Sequence, residues 1–592
     1  MTAAARVLLP ALAPFRHAWP HLARQWRGLL IGVLCLLPAN ALELSIPLLW
    51  KRGVDGAVGR SLAWSSILEL AGAALALGAV AGTFRYWMRR RLVGASRDFE
   101  RDLRLALHAK LVTLPSRWFG RSTVGDLTSR MSQDVEAVRM ALGPSVMYVA
   151  DALLKVASAF VLMLSHDAWL TLWMGVPFLL LGLVALSMAR RLGRASDAVQ
   201  QGIARISSAS TESFSGIRVL KLFTGEERQL ARMSALSRHY FDAQMRLATA
   251  RGGMMSLLLL VKDASQFVIL LAGGLRVMGG RASLGDLVAY RDWMLQCFWP
   301  LVTFGWIISM VQRAAAGMRR IADVLDTVPE IASPSRPAPV ATGRGPLEVE
   351  LRGVVVRAHG RPVLDHVSLT VPAGSSLGLT GPSGSGKTTL VQLLARLLDP
   401  DEGQVLVGGV DVREWDLDRL RRAVGFVPQE AFLFSDLLSE NLRFANPDAD
   451  ETLVLAAAHG AGLEPDLAAF PHGLETRVGE RGVTLSGGQR QRATLARALL
   501  ADPPVIVLDD ALSAVDAETE ARILARLRRE LAGRTAIVVS HRVGALSGLD
   551  RIALLEAGRL VEIGSHEELL RRGGPYARLE REQRLHAELE AL

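Results

Sequence analysis

Three short stretches of the sequence carry residue types and spacings suited to phosphate and metal chemistry. The strand-like run 375–380 leads into Gly381-Pro382-Ser383-Gly384-Ser385-Gly386-Lys387-Thr388-Thr389, which fits G-x-x-x-x-G-K-[ST] with a strand before it and the helical TTLVQLLARLL after it. Glycines at those positions let consecutive backbone N–H groups turn toward phosphate oxygens, and the helix behind adds its positive end. Lys387 would neutralise charge on the outer phosphates, and the Thr388 hydroxyl would hold Mg2+. The run Val505–Asp509 reads as a strand buried on both faces that ends on a carboxylate, and Asp509 suits a Mg2+ role beside such a loop. Finally, Leu485-Ser486-Gly487-Gly488-Gln489 opens a long helical stretch. A serine and two glycines there make a second anion-binding helix end on one chain.

Those groups need rigid elements to hold them, and the sequence supplies two kinds. The chain has 592 residues, 50% hydrophobic and only 21% charged, which excludes a disordered chain and argues against a purely soluble one. The formal net charge of +10 would suit nucleic acid or the anionic face of a membrane, so the placement of the charges decides. Up to about residue 325 the apolar runs 29–50, 66–87, 142–165, 168–188, 253–278 and 284–310 each approach or exceed the roughly 20 residues that cross a hydrocarbon core. Six such runs exclude a soluble DNA-associated ATPase, and no nucleic acid partner is expected. Arg24 and Arg27, Arg89 to Arg91, Arg190, Arg191 and Arg194, and Arg319 and Arg320 flank the runs on one side. The positive-inside bias then places both termini and the links 88–141 and 189–252 in the cytoplasm of a multi-pass cell (inner) membrane protein. Lys51 and Arg52 run against that bias. Residues 15–27, mixing Trp19, Leu22 and Trp26 with basic residues, read as a helix lying at the interface. Cys35 and Cys297 are far apart in apolar surroundings and form neither a disulfide framework nor a metal spacing.

Residues 329–346, rich in Pro, Ala and Ser, have no helical or strand period and read as a linker. Beyond them, short β-branched runs alternate with Leu/Ala/Arg-rich helical stretches, the pattern of a parallel sheet with helices on it. The expected architecture is therefore a membrane all-α six-helix domain over 1–328 and an α/β P-loop NTPase domain over 347–592.

The phosphate-loop sequence at 381–388, Gln429 in VGFVPQEAFLFS, LSGGQRQR at 485–492, VIVLDD at 505–510, SAVD at 513–516 and SHR at 540–542 occur in one order. In this the second half resembles the nucleotide-binding domain of ABC transporters, and the first resembles the six-helix transmembrane domain of type IV ABC exporters. The resemblance implies ATP and Mg2+ as cofactors, held by residues 381–389 (Walker A) and Asp509 (Walker B). It implies that Gln429 contacts Mg2+ and the surroundings of the attacking water, that His541 contacts the γ-phosphate, and that Asp516 connects two sites. Ser486, Gly487, Gly488 and Gln489 would complete the site of a second subunit. Tips of the long links, near 116–125 and 222–229, would rest on nucleotide domains around Gln429 and 476–482, and closure of two such domains would rock the spans between inward- and outward-facing states.

Two departures from the family pattern matter. Competent sites carry Glu directly after the Walker B Asp, whereas this chain has Asp510. A carboxylate one methylene shorter sits roughly 1 Å or more from where it must polarise water, a displacement that can cost about a hundredfold in rate. Also, the family places an aromatic ring on adenine about thirty residues before Lys387; here Ala358 stands there with His359 next to it. Either His359 substitutes as the stacking plane or adenine is held loosely. Asp510 beside an intact LSGGQ resembles the degenerate half of bacterial heterodimeric multidrug exporters, implying a second half-exporter subunit with Glu after its Walker B Asp; the alternatives are a homodimeric exporter, a lipid or lipopeptide flippase, and a nucleotide-gated regulator without real turnover. Cargo would be lipophilic or amphipathic, in contact with membrane lipids. Within the spans, Glu43, the Asp151/Lys155 pair, Lys262/Asp263 and Arg291/Asp292 are candidate functional charges. Asp151 and Lys155, spaced i,i+4, would neutralise each other. Trp293, Gln296, Phe298 and Trp299 give the last span an aromatic, partly polar face suited to bulky amphiphiles or to the bilayer interface.

Overall fold

The computed structural model describes residues 13–60, 62–120, 122–340, 345–479, 482, 485–513, 520, 523, 525–527 and 533–590. The chain divides into two compact units, Met1–Thr113 with Ser122–Thr327, and Leu114–Arg121 with Val328–Leu592.

The first unit is built of helices far longer than a bilayer is thick. Among the described residues, Trp26–Val58, Trp64–Thr113, Val124–His166 and Glu226–Met278 are long and apolar enough to cross a membrane. The helices Ala168–Ser215 and Leu284–Leu325 cover the fourth and sixth predicted runs, with part of their side chains outside the described residues. Trp64–Thr113 alone has 50 residues, about 75 Å at 1.5 Å per residue, against a hydrocarbon core of about 30 Å. Its apolar run therefore continues as polar helix, as the periodicity of the link 88–141 predicts. The chain turns back around the short helix Ser116–Phe119 and again after the helix Ile217–Leu222. Wide π turns interrupt the third and fifth rods at Arg130–Asp134, Ala141–Ser145 and Ile269–Gly273; the second holds Pro144, which lacks the N–H a regular turn needs.

Side chains at the helix ends explain several sequence features and correct others. Lys51 is neutralised by Asp286 at 2.5 Å, and the adjacent Asp55 accepts from Ser283 Oγ at 2.7 Å and Gly285 N at 2.8 Å. Asp167 caps Ala168–Ser215 and receives Arg276 at 2.6 Å. Trp293 is fully buried, with its indole N–H donating to Leu44 O at 2.9 Å, so it belongs to the core and not to an open cargo face; Trp299, at 60% exposure, does face outward. The interfacial helix expected at 15–27 is broken into a 3-10 turn, Ala13–His17, and a helix, Trp19–Arg24, while Trp26 begins the next rod. Arg16 and His17 both reach Asp326, at 2.6 and 2.7 Å. Asp151 and Lys155 do not pair with each other. Lys155 Nζ donates to Glu43 at 2.7 Å, Arg85 binds Glu43 through two nitrogens, and Asp151 lies 3.6 Å from Arg85. Two cations and two anions from three rods thus cancel, because side chains of neighbouring helices offer better geometry than the i,i+4 spacing does.

The second unit holds two sheets. Strands β1 (Val349–Ala358), β2 (Arg361–Val371), β4 (Glu402–Val407) and β5 (Val410–Asp411) form an antiparallel sheet in the order β2-β1-β4-β5. Strands β3 (Ser376–Thr380), β6 (Val424–Val427), β7 (Val505–Asp509), β8 (Thr535–Val539), β9 (Arg551–Glu556) and β10 (Arg559–Gly564) order as β10-β9-β3-β8-β7-β6, parallel from β9 to β6. Every residue of β7 and β8 is buried, which is why both read as unbroken apolar runs. The stretch 329–340 is not a free tether. Ser333 Oγ accepts from Leu417 N at 2.9 Å, Ala338 N donates to Glu414 O at 2.9 Å, and Arg396 holds Ala332 O at 3.0 Å. Residues 341–344 of the linker lie outside the described residues.

Candidate nucleotide site

The order β3-β8-β7-β6 sets the site, because the carboxyl ends of adjacent parallel strands open onto one crevice. The Walker A loop follows β3, His541 lies two residues past β8, Asp509 ends β7 and Asp510 follows it, and Gln429 lies two residues past β6. In the loop, Gly381 and Gly386 have φ of +144° and +101°. A Cβ on Gly381 would sit 2.0 Å from Leu555 O, and one on Gly386 2.7 Å from Val363 O, so no side chain fits at either. Ser385 is buried, whereas Pro382, Ser383 and Gly384 form the exposed crest, and Thr389 continues into the helix Lys387–Leu394. Lys387 Nζ donates to Gly381 O and Pro382 O, each at 2.8 Å. Burial lowers the Lys387 pKa, with Asp510 and Asp509 pulling the other way. Thr388 Oγ1 donates to Asp509 Oδ1 at 3.2 Å, and burial raises the Asp509 pKa despite that bond.

Asp510 joins the three predicted catalytic groups. Its carboxylate accepts from Gln429 Nε2 at 3.4 Å on one oxygen and lies 3.1 Å from His541 Nδ1 on the other. Its backbone is left-handed, φ +47°, a conformation Asp tolerates better than most residues, and its N–H is tied to Val539 O at 3.0 Å.

The signature stretch lies at a separate helix end. Ser486 caps Gly487–Leu500 in a reciprocal box: Gln489 N donates to Ser486 Oγ at 3.2 Å, and Ser486 N donates to Gln489 Oε1 at 2.8 Å. Gly488 is buried, and Ser486 is exposed. Asp466 braces this end, accepting from Gln489 Nε2 at 3.1 Å and Arg492 Nη2 at 2.7 Å. Nothing local marks Asp466 in the sequence; its partners lie 23 and 26 residues away.

Comparison with known proteins agrees with this layout. A family model described as the ABC transporter transmembrane region matches residues 29–301, and one described as ABC transporter matches 364–513. The chain is 30% identical over 573 residues to a probable multidrug resistance ABC transporter ATP-binding/permease protein of Bacillus subtilis (strain 168), covering 95% of this chain and 96% of the relative. It is 33% identical over 573 residues to an ATP-dependent lipid A-core flippase of Burkholderia orbicola (strain AU 1054), covering 96% and 95%. It belongs to the type IV ABC exporters. The solved structure of a bacterial Atm1-family ABC exporter with ATP bound superposes with a TM-score of 0.80 at 28% identity, over 94% of this chain and 99% of that one.

In this ABC exporter two further residues, His359 and Asp516, are expected to serve the nucleotide. His359 sits with Gly360 at the exposed tip of the β1–β2 hairpin, where Ala358 pairs with Arg361 and both tip residues have positive φ, +50° and +77°. That is the two-residue type I′ turn, and it accounts for a His-Gly pair without any ligand. Asp516 lies outside the described residues.

Proposed function

We propose that this exporter moves lipophilic or amphipathic compounds out across the cell (inner) membrane by alternating access, with both termini and the nucleotide domain in the cytoplasm. ATP hydrolysis coupled to transport is the chemistry common to its family, and ATP with Mg2+ supplies a phosphoanhydride whose cleavage favours one state over the other. The residues present fit that pair. Gly381 and Gly386 of the cradle have no room for side chains, Lys387 would exchange its two loop carbonyls for phosphate oxygens, and Thr388 and Asp509, which share a hydrogen bond, would together hold the cation. Gln429 would complete that metal set, and Asp516 would link two such sites. Ser486, Gly487, Gly488 and Gln489 would serve the nucleotide of a second subunit.

One observation carries the finer reading: the side chain that Gln429 and His541 both face is the short carboxylate of Asp510. Asp510 holds its contacts but stops short of the attacking water, so the chain's own site binds nucleotide and turns it over slowly. A second half-exporter with Glu at that position would then supply the fast site, activated by this chain's LSGGQ. The multidrug resistance and flippase relatives support both drug-like and lipid cargo; flipping of a lipid is the second reading, favoured by the flippase at 33% identity.

The test uses inside-out vesicles loaded with the full chain, alone and with candidate partner half-exporters. ATP-dependent uptake of a fluorescent lipophilic dye is expected with a partner present, and Gly487→Asp in this chain's LSGGQ is expected to abolish it. Brisk hydrolysis by the isolated chain at two equivalent sites would overturn the asymmetric reading, and movement of labelled lipid but not dye would favour the flippase.

A further inference from the structure

The turn that carries His541 has a support outside every motif. Gln583, on the C-terminal helix Pro575–Glu590, spans it: Nε2 donates to His541 O at 2.6 Å, and Oε1 accepts from Val543 N at 2.9 Å. One amide therefore brackets the two peptides on either side of Arg542. A primary amide offers a donor and an acceptor side by side without charge. The turn's start is fixed separately, by Ser540 N on Leu379 O at 3.2 Å and Arg542 N on Ser540 Oγ at 3.0 Å. Among the described residues, Gln583 is what holds the His541 carbonyl. The His541 side chain is 56% exposed, so packing does little to aim it, and its direction follows from its backbone together with the Asp510 contact at 3.1 Å. The helix bearing Gln583 is itself anchored: Tyr576 is fully buried, its N–H donates to Glu562 at 2.9 Å, and its hydroxyl lies 2.8 Å from His566 Nδ1.

We infer that Gln583 is a positioning residue for hydrolysis, fixing the turn that aims His541 at the nucleotide. The inference rests on the reading of His541 as a γ-phosphate contact. Gln583→Leu removes both hydrogen bonds; Gln583→Glu keeps the acceptor for Val543 N but has no donor for His541 O.

The experiment measures single-turnover ATP hydrolysis by the full chain in lipid nanodiscs, with protein in excess over ATP, alongside fluorescent-nucleotide affinity and melting temperature. Gln583→Leu is expected to slow hydrolysis about tenfold with affinity within about twofold, and Gln583→Glu to fall between it and the native chain. In a His541→Ala background, Gln583→Leu is expected to change the rate by less than about twofold, since its effect passes through the imidazole. An equal slowing in both backgrounds, or no slowing where His541→Ala alone slows the reaction, overturns the inference. If His541→Ala has no effect, the underlying reading of His541 fails instead. Should Gln583→Leu melt early, Gln583→Glu in the same two backgrounds decides.

Discussion

The imidazole Nδ1 of His541 stands 3.1 Å from a carboxylate oxygen of Asp510. The contact joins the ends of neighbouring strands β8 and β7, and the other oxygen of Asp510 receives the Gln429 amide. Two groups that lie 81 and 31 residues from Asp510 in the sequence therefore share its one carboxylate, and the length of that side chain governs both.

Lengthening it is the most direct test. Asp510→Glu is expected to raise single-turnover hydrolysis by roughly ten- to a hundredfold, with nucleotide affinity unchanged within about twofold. The left-handed backbone at 510 will cost the longer residue a little stability. A rate that stays put would mean that Asp510 already reaches the water.

Burial of Asp509 comes at some expense to the fold. Burial raises its pKa, so in the folded chain the charged form is disfavoured relative to the unfolded chain. A carboxyl with a raised folded pKa stabilises at low pH, and that contribution is lost as pH rises through the folded value. Asp509→Asn should therefore raise the melting temperature of nucleotide-free protein at pH 7.5. The gain should shrink as pH falls through the folded pKa and vanish near the ordinary value of about 4. The same variant should lose the extra stabilisation that Mg2+ adds to ATP; calorimetry across pH reads both.

Gly386→Ala should abolish nucleotide binding while leaving the membrane unit folded. The new Cβ would meet Val363 O at 2.7 Å with φ at +101°, so backbone must move in the loop proposed to cradle phosphate. Binding of a fluorescent ATP analogue measures the loss, and affinity within about threefold of the native chain would refute the cradle.

In the membrane unit, Glu43→Gln leaves Lys155, with a side chain 10% exposed, without its anion. Orphaning one partner of such a pair costs about 3 kcal/mol, toward the lower end for buried pairs because Glu43 is 24% exposed. Thermal unfolding in detergent should show the drop, and Lys155→Gln added to it should recover only part of the loss, because Arg85 also binds Glu43.

Much of this was legible in the residues. The Walker A loop and LSGGQ reveal themselves because glycine, lysine and serine are needed at fixed offsets along the chain, and the long rods show in unbroken apolar and helical periods. What stayed hidden is what depends on packing between distant segments. Glu43 is matched to Lys155, 112 residues on, and Gln583 to His541, 42 residues back, neither distinguishable from an ordinary polar residue by its neighbours. Ser333 was equally silent: in a stretch without period, its hydroxyl closes the N–H of Leu417.

The capping box at Ser486 has a chemical corollary. One lone pair of its oxygen is committed to Gln489 N of its own helix, which fixes the hydroxyl at the helix start and leaves its proton free to be given outward. A hydroxyl held in that way can give its hydrogen to an anion's oxygen without first leaving its cap, and replacing it by alanine would loosen the helix start and mute that outward gift in one stroke.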